Sequence, residues 1–77
     1  MLFVFSSLRP HSMTMRNVCF PLDMLWLDET GTVLGTASAA PNRGIIFGGY
    51  RPSKYVLELP AATIQDCGVQ VGQRVVF

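Results

Sequence analysis

Arg16, Asn17 and Asp23 are the residues whose types and spacing invite chemistry. They stand in a run, residues 13–28, that is otherwise rich in Met, Val, Leu, Phe and Trp and ends in another carboxylate, Asp28. An isolated ionised carboxylate is costly to bury, so such groups must be paired, hydrogen-bonded or at the surface. A guanidinium and a carboxylate beside a turn can form a charge-assisted, bidentate pair. Used for function, Arg16, Asn17 and Asp23 would grip a small polar ligand at the mouth of a barrel. Used for structure, Asp23 would cap the backbone of the Pro21 turn, with Arg16 paired to it. The structural use carries more weight, because buried polar groups are ordinarily satisfied locally.

The other reactive side chains offer less. Asp28 and Glu29 precede Gly31, and acidic residues beside a glycine turn usually hydrogen-bond the backbone. Paired carboxylates can act as general acid and base, but nothing here brings them near a nucleophile. His11 is the single histidine. A hydrolytic enzyme would use His11 or Asp23, yet Ser6, Ser7 and Ser12 show no nucleophile-elbow pattern, and geometry is required before chemistry. Tyr50, Arg51 and Tyr55 flank a glycine-bearing stretch. Aromatic residues on such a loop are favoured binding elements; equally, Tyr55 fits a core position and Tyr50 a loop anchor, since tyrosine has an apolar body and a polar tip. Gly44, Gly48 and Gly49 lack the Lys-Ser/Thr ending and following helix of a phosphate loop. Cys19 and Cys67 lack CxxC spacing, which leaves a zinc or thioredoxin-type site without support. In an exported protein they would form a disulfide worth about 3–4 kcal/mol. The preferred reading is two reduced, small, buried apolar side chains. The sequence offers no catalytic set, no metal set and no cofactor motif.

Bulk composition narrows the class. Seventy-seven residues make one domain, here read as 1–77. A chain of this size buries only about 60% of the surface that its unfolded form exposes. It is 49% hydrophobic and 14% charged, against about 25% charged in an average globular domain. So little charge implies an apolar patch that a further segment or a second subunit covers. Six Lys and Arg stand against five Asp and Glu, without a basic stripe, which excludes an electrostatic nucleic-acid footprint. No apolar run approaches the ~20 residues of a membrane span. Residues 1–5 are apolar but lack the basic flank and the length of a signal peptide. The compartment stays open.

Strands must position these groups. Residues 2–5 read as a buried strand and residues 6–10 as a turn ending at Pro10. Residues 11–16 alternate, with His11, Met13 and Met15 facing one way and Ser12, Thr14 and Arg16 the other. Residues 17–22 are a turn or edge crossing, since Pro21 interrupts any ladder. Residues 23–28 form a buried strand, Asp28 to Gly31 a hairpin connection, and residues 32–40 a weak return strand. Residues 41–52 read as a loop of about a dozen residues, long for a compact domain. Residues 54–59 form a strand with Tyr55, Leu57 and Leu59 on one face. Pro60 opens a short helix over 60–67 that Gly68 stops. Residues 69–73 turn, and residues 74–77 make a terminal strand. The class is therefore mostly β: a small barrel or half-barrel of antiparallel strands with one short helix.

Together these pieces resemble a known family. Met15-Arg16-Asn17 followed by Pro21-Leu22-Asp23-Met24-Leu25-Trp26-Leu27-Asp28 is similar to the signature of domain of unknown function 192, a bacterial and archaeal family. Pro41, the run from Tyr55 through Pro60 to Ala61, then Gly68-Val69 and Val71-Gly72, agree with it, as does the opening Met-Leu-Phe-Val-Phe. Two departures stand out. Family members usually carry a further segment before that opening, so the chain looks like an N-terminally truncated copy. Thr14 stands where the family often has Trp. The resemblance implies a compact β-barrel, found in both exported and cytosolic members, and implies no catalysed reaction.

The reading that follows is a non-catalytic ligand-binding or accessory interaction module. Its candidate contacts are Arg16, Asn17, Asp23, Tyr50 and Tyr55, with residues 41–52 as a lid. Its alternatives are a structural fragment that forms homo-oligomers through an open sheet edge, which is prone to pair with another chain, and a hydrolase using His11 or Asp23.

Overall fold

The computed structural model describes residues 1–49 and 51–77. The chain runs β1 (Leu2–Arg9), β2 (Ser12–Thr14), β3 (Leu22–Leu27), β4 (Val33–Ala39), β5 (Ile45–Phe47), β6 (Ser53–Pro60) and α1 (Thr63–Cys67). The fold is mostly β, as its alternating patterns require. The strands form a four-stranded sheet in the order β1-β6-β3-β4 and a separate β2-β5 ribbon, all antiparallel. Among the described residues the two sheets do not close into a barrel.

The central strand β3 is buried on both faces. Its continuous apolar run from Met24 to Leu27 is what such a position demands. Met24 and Trp26 point to one face, where they pack with Met15, Ala39, Ile46 and Val56. Leu25 and Leu27 point to the other, where they pack with Val33, flanked by Tyr55, Leu57, Leu59 and Ile64. The ribbon covers the first face. The segment from α1 to Val75 covers the second.

Trp26 fastens the ribbon to the sheet. Its indole N–H donates to the His11 carbonyl at 2.8 Å in a buried setting. Gly48 lies against the ring so closely that a Cβ there would come within 2.1 Å of the indole carbons. His11 precedes β2 and Gly48 follows β5, so both sit at the same end of the ribbon. Gly35, the register partner of Trp26 on β4, leaves room for the Gly48 carbonyl; a Cβ at Gly35 would stand 2.5 Å from that oxygen.

The hairpin between β3 and β4 forms as its sequence implies. Asp28 Oδ1 accepts the Thr30 N–H at 2.8 Å, the Thr30 hydroxyl at 2.6 Å and the Thr32 N–H at 3.0 Å. Gly31 turns the chain at φ 86°, and Val75 O lies where a side chain would stand.

Several expectations need correcting. Residues 6–9 are not a turn: β1 runs on to Arg9, with its register against β6 broken between Val4 and Arg9. That irregularity lets the strand continue until Pro10, which has no N–H to donate. Nor is β1 a buried strand. Phe3 and Phe5 are half-buried while Leu2 and Val4 are exposed, which is the alternation of an edge strand with one covered face. The stretch 41–52 is not all loop, because it contains β5; β-branched Ile45 and Ile46 pair with β2 between two glycines. The helix is shorter than 60–67. Pro60 is the last residue of β6, paired with Leu22, and Ala62 turns the chain at φ 72° before α1 begins at Thr63. Gly68 ends α1 in the left-handed conformation, as expected. Residues 74–77 form no strand; Arg74 makes one isolated bridge to Thr32.

Gly48→Ala should lower stability by about 1–3 kcal/mol, because the added methyl must displace the indole or the ribbon. Urea unfolding followed by Trp26 fluorescence checks this. An unchanged midpoint would mean that Gly48 does not press on the ring.

Candidate functional site

Among the described residues, Asp23 is the one candidate that the fold both buries and places on a groove. It is 1% exposed. The pleat of β3 aims it to the same face as its register partners Ser38 on β4 and Leu59 on β6. Its Oδ2 accepts the Ile64 N–H at 2.8 Å, 41 residues away. Helix α1 needs this contact, because Ala62 precedes it and has no side-chain oxygen to cap the first turn. Asp23 therefore caps a helix, not the Pro21 turn. Its Oδ1 makes no hydrogen bond among the described residues.

A groove of about 380 Å³ opens beside it, lined among others by Asp23, Ser38, Ala40, Ala62 and Gln65. A second groove of about 560 Å³ adjoins it at the end of the sheet, with Pro21, Leu22 and Ala61 lining both. The second is walled mainly by apolar groups, including the exposed Met1 and Phe20.

The expected partners of Asp23 lie elsewhere. Arg16 and Asn17 occupy an exposed turn closed by the Val18 N–H to the Met15 carbonyl at 3.0 Å. Asn17 is there at φ 66°, a conformation asparagine tolerates better than most residues. Arg16 makes no ion pair with Asp23, and neither Arg16 nor Asn17 lines the groove that Asp23 lines. Tyr55 belongs to a different pocket, of about 230 Å³, with Glu29, Thr30, Arg74 and Phe77. Its ring meets Phe77 edge-on at 5.0 Å. Tyr50 lies outside the described residues. Arg51 is exposed.

His11 is enclosed. Its Nε2 meets the Ser7 carbonyl at 3.0 Å and its ring stacks on Phe5 at 3.7 Å. It has no serine hydroxyl, thiol or carboxylate partner among the described residues. Cys19 and Cys67 are free thiols, and both are exposed instead of buried. No cluster of three or more metal-ligating side chains occurs among the described residues. Among the described residues no helix is long and apolar enough to cross a membrane. The Asp28 carboxyl is held below its ordinary 3.8 chiefly by the Thr30 hydroxyl. Partial desolvation opposes that, while the Thr32 and Thr30 N–H groups and the charge of Arg51 reinforce it.

Sequence reasoning found Asp23 but not the rest of its groove. Ser38, Ala62 and Gln65 are small or ordinary polar residues in weak elements. No local pattern marks them; only the register of β3 with β4 and the seat of α1 bring them together.

The whole chain, residues 1–77, matches the family described as uncharacterized ACR, domain of unknown function 192. The chain belongs to that family. Among solved structures it is similar to a candidate transcription regulator from Sinorhizobium meliloti 1021, with 42% identity and a TM-score of 0.89 over 96% of this chain and 58% of that one. It also shares its fold with a protein of unknown function from Novosphingobium aromaticivorans DSM 12444, with 24% identity and a TM-score of 0.90 over all of this chain and 56% of that one. The chain thus spans a little over half the length of each. No curated protein matches it.

Two predictions follow from the carboxylates. Asp23→Ala should cost about 0.5–2 kcal/mol by stripping the cap from α1, and Asp23→Asn less, because its amide oxygen can still accept; urea unfolding separates the two. The Asp28 carboxyl is more acidic folded than unfolded, so its stabilisation is present above about pH 4 and is lost as pH falls through the folded value. Asp28→Asn should therefore flatten the acid limb of a thermal-midpoint profile, and an unchanged limb would refute this.

Proposed function

We propose that this domain is a small, non-catalytic binding module that holds a polar ligand in the groove between β3, β4 and α1. The observation that carries this reading is Asp23: a carboxylate 1% exposed, one of whose two oxygens accepts the Ile64 N–H to cap the helix, on the wall of a groove of about 380 Å³. That size falls within the range of small-molecule sites, about 300–1,000 Å³. The reading rests on Asp23 at the groove; Arg16, Asn17 and Tyr55 do not line it, and Tyr50 lies outside the described residues. Hydrolysis is the weaker reading, since His11 is tied to a backbone carbonyl and an aromatic face. The chain's near-balanced charge gives no basis for proposing a nucleic-acid partner.

Amide shift mapping with a set of small polar fragments tests this. The expected perturbations centre on Asp23, Ser38, Ala62 and Gln65. Perturbations confined to the Tyr55 pocket, or ester turnover abolished by His11→Ala, would overturn it.

One observation favours a second reading, association of copies through β1. Among the described residues that strand has only β6 beside it, and Leu2, Val4 and Leu8 are exposed along it. Sedimentation equilibrium should then give a dimer that Val4→Lys dissociates; a monomer at all concentrations would rule this out.

A further inference from the structure

We infer that the Asp23 groove selects a ligand bearing a primary ammonium group on a short, uncharged body. This deepens the binding reading above and rests on it. Among the described residues, Asp23 is the one charged residue on the groove, and no lysine, arginine or histidine lines it. A carboxylate taken from water without a cationic partner is under-compensated. The Ile64 N–H offsets part of that cost through Oδ2, and Oδ1 still has acceptor capacity.

The surroundings suit an ammonium group better than the alternatives. An anion would meet the unpaired carboxylate in a site with no positive charge to offset it. A neutral hydroxyl would supply one donor but no charge. An ammonium supplies both, and a charge-assisted hydrogen bond is roughly twice as strong as a neutral one. It has three donors. Asp23 takes one, and the Ser38 hydroxyl and Gln65 carboxamide carry acceptors for the others. The rest of the wall is apolar, with Pro21 and Leu22 beside Ala39, Ala40, Ala61 and Ala62, and suits a short alkyl body. Ser38 and Gln65 are exposed, so the entrance is open to solvent.

The test uses the full chain, with amide shifts followed during titration by n-butylammonium, n-butanol and butyrate at one ionic strength. Butylammonium should give saturable shifts at Asp23, Ser38, Ala62 and Gln65, and butyrate none. Asp23→Asn keeps an oxygen for the Ile64 N–H while removing the charge, and should weaken butylammonium about tenfold or more. If that variant does not fold, Ser38→Phe, a change at an exposed strand position, should abolish the shifts by filling the groove. Equal shifts from n-butanol, or stronger ones from butyrate, would overturn the ammonium assignment and leave the binding module standing. Silence of the groove amides toward all three probes would overturn both.

Discussion

The fold depends on one buried contact set around an indole. Trp26 donates its N–H to the chain just before β2 and presses its face on the chain just after β5. The four-stranded sheet and the two-stranded ribbon are otherwise separate ladders. A two-stranded ribbon is at best marginally stable alone in water. Here it is held because its closing end is seated on a tryptophan of the central strand. The buried indole N–H needs an acceptor, and the His11 carbonyl is that acceptor. The cost falls on side chains: Gly48 and Gly35 must be bare for ring and backbone to approach.

On the opposite face a polar contact has the same organising role. Asp23 reaches across 41 residues to cap a five-residue helix that lacks its own cap. Isolated helices that short do not form in water. Helix α1 exists because Ile64 packs on the sheet and Asp23 holds its first turn. The same contact creates the groove, since α1 forms one wall of it and β4 the other. Structural duty and the proposed ligand contact thus meet in one carboxylate.

Much of the strand pattern was legible from periodicity. The doubly buried β3, the Asp28 hairpin with its left-handed glycine, the two faces of β6 and the alternation of His11, Met13 and Met15 all follow from local rules. The errors share a cause. Ser6 to Arg9, Ile45 to Phe47 and Pro60 have sequences that permit a turn or loop, and each is drawn into a strand by a partner distant in sequence. Residues 74–77 show the reverse: a β-rich sequence with one bridging partner stays irregular. At the site, Asp23 could be singled out because a carboxylate in an apolar run must be accounted for. Its partner could not, because no rule of spacing links position 23 to the amide of residue 64.

By itself the sequence determined the chemistry of the elements: which stretches are extended, which turns need glycine or asparagine, that the class is mostly β, and that the family is domain of unknown function 192. Those properties are local or pattern-borne, set by side-chain alternation and backbone freedom. Only the tertiary structure decided that Asp23 caps α1 and not the Pro21 turn, that Arg16 stands apart from it, and that two glycines make room around Trp26. Those outcomes are set by which backbone groups are left without partners once the sheet has formed, and that is known only when every strand has its neighbour.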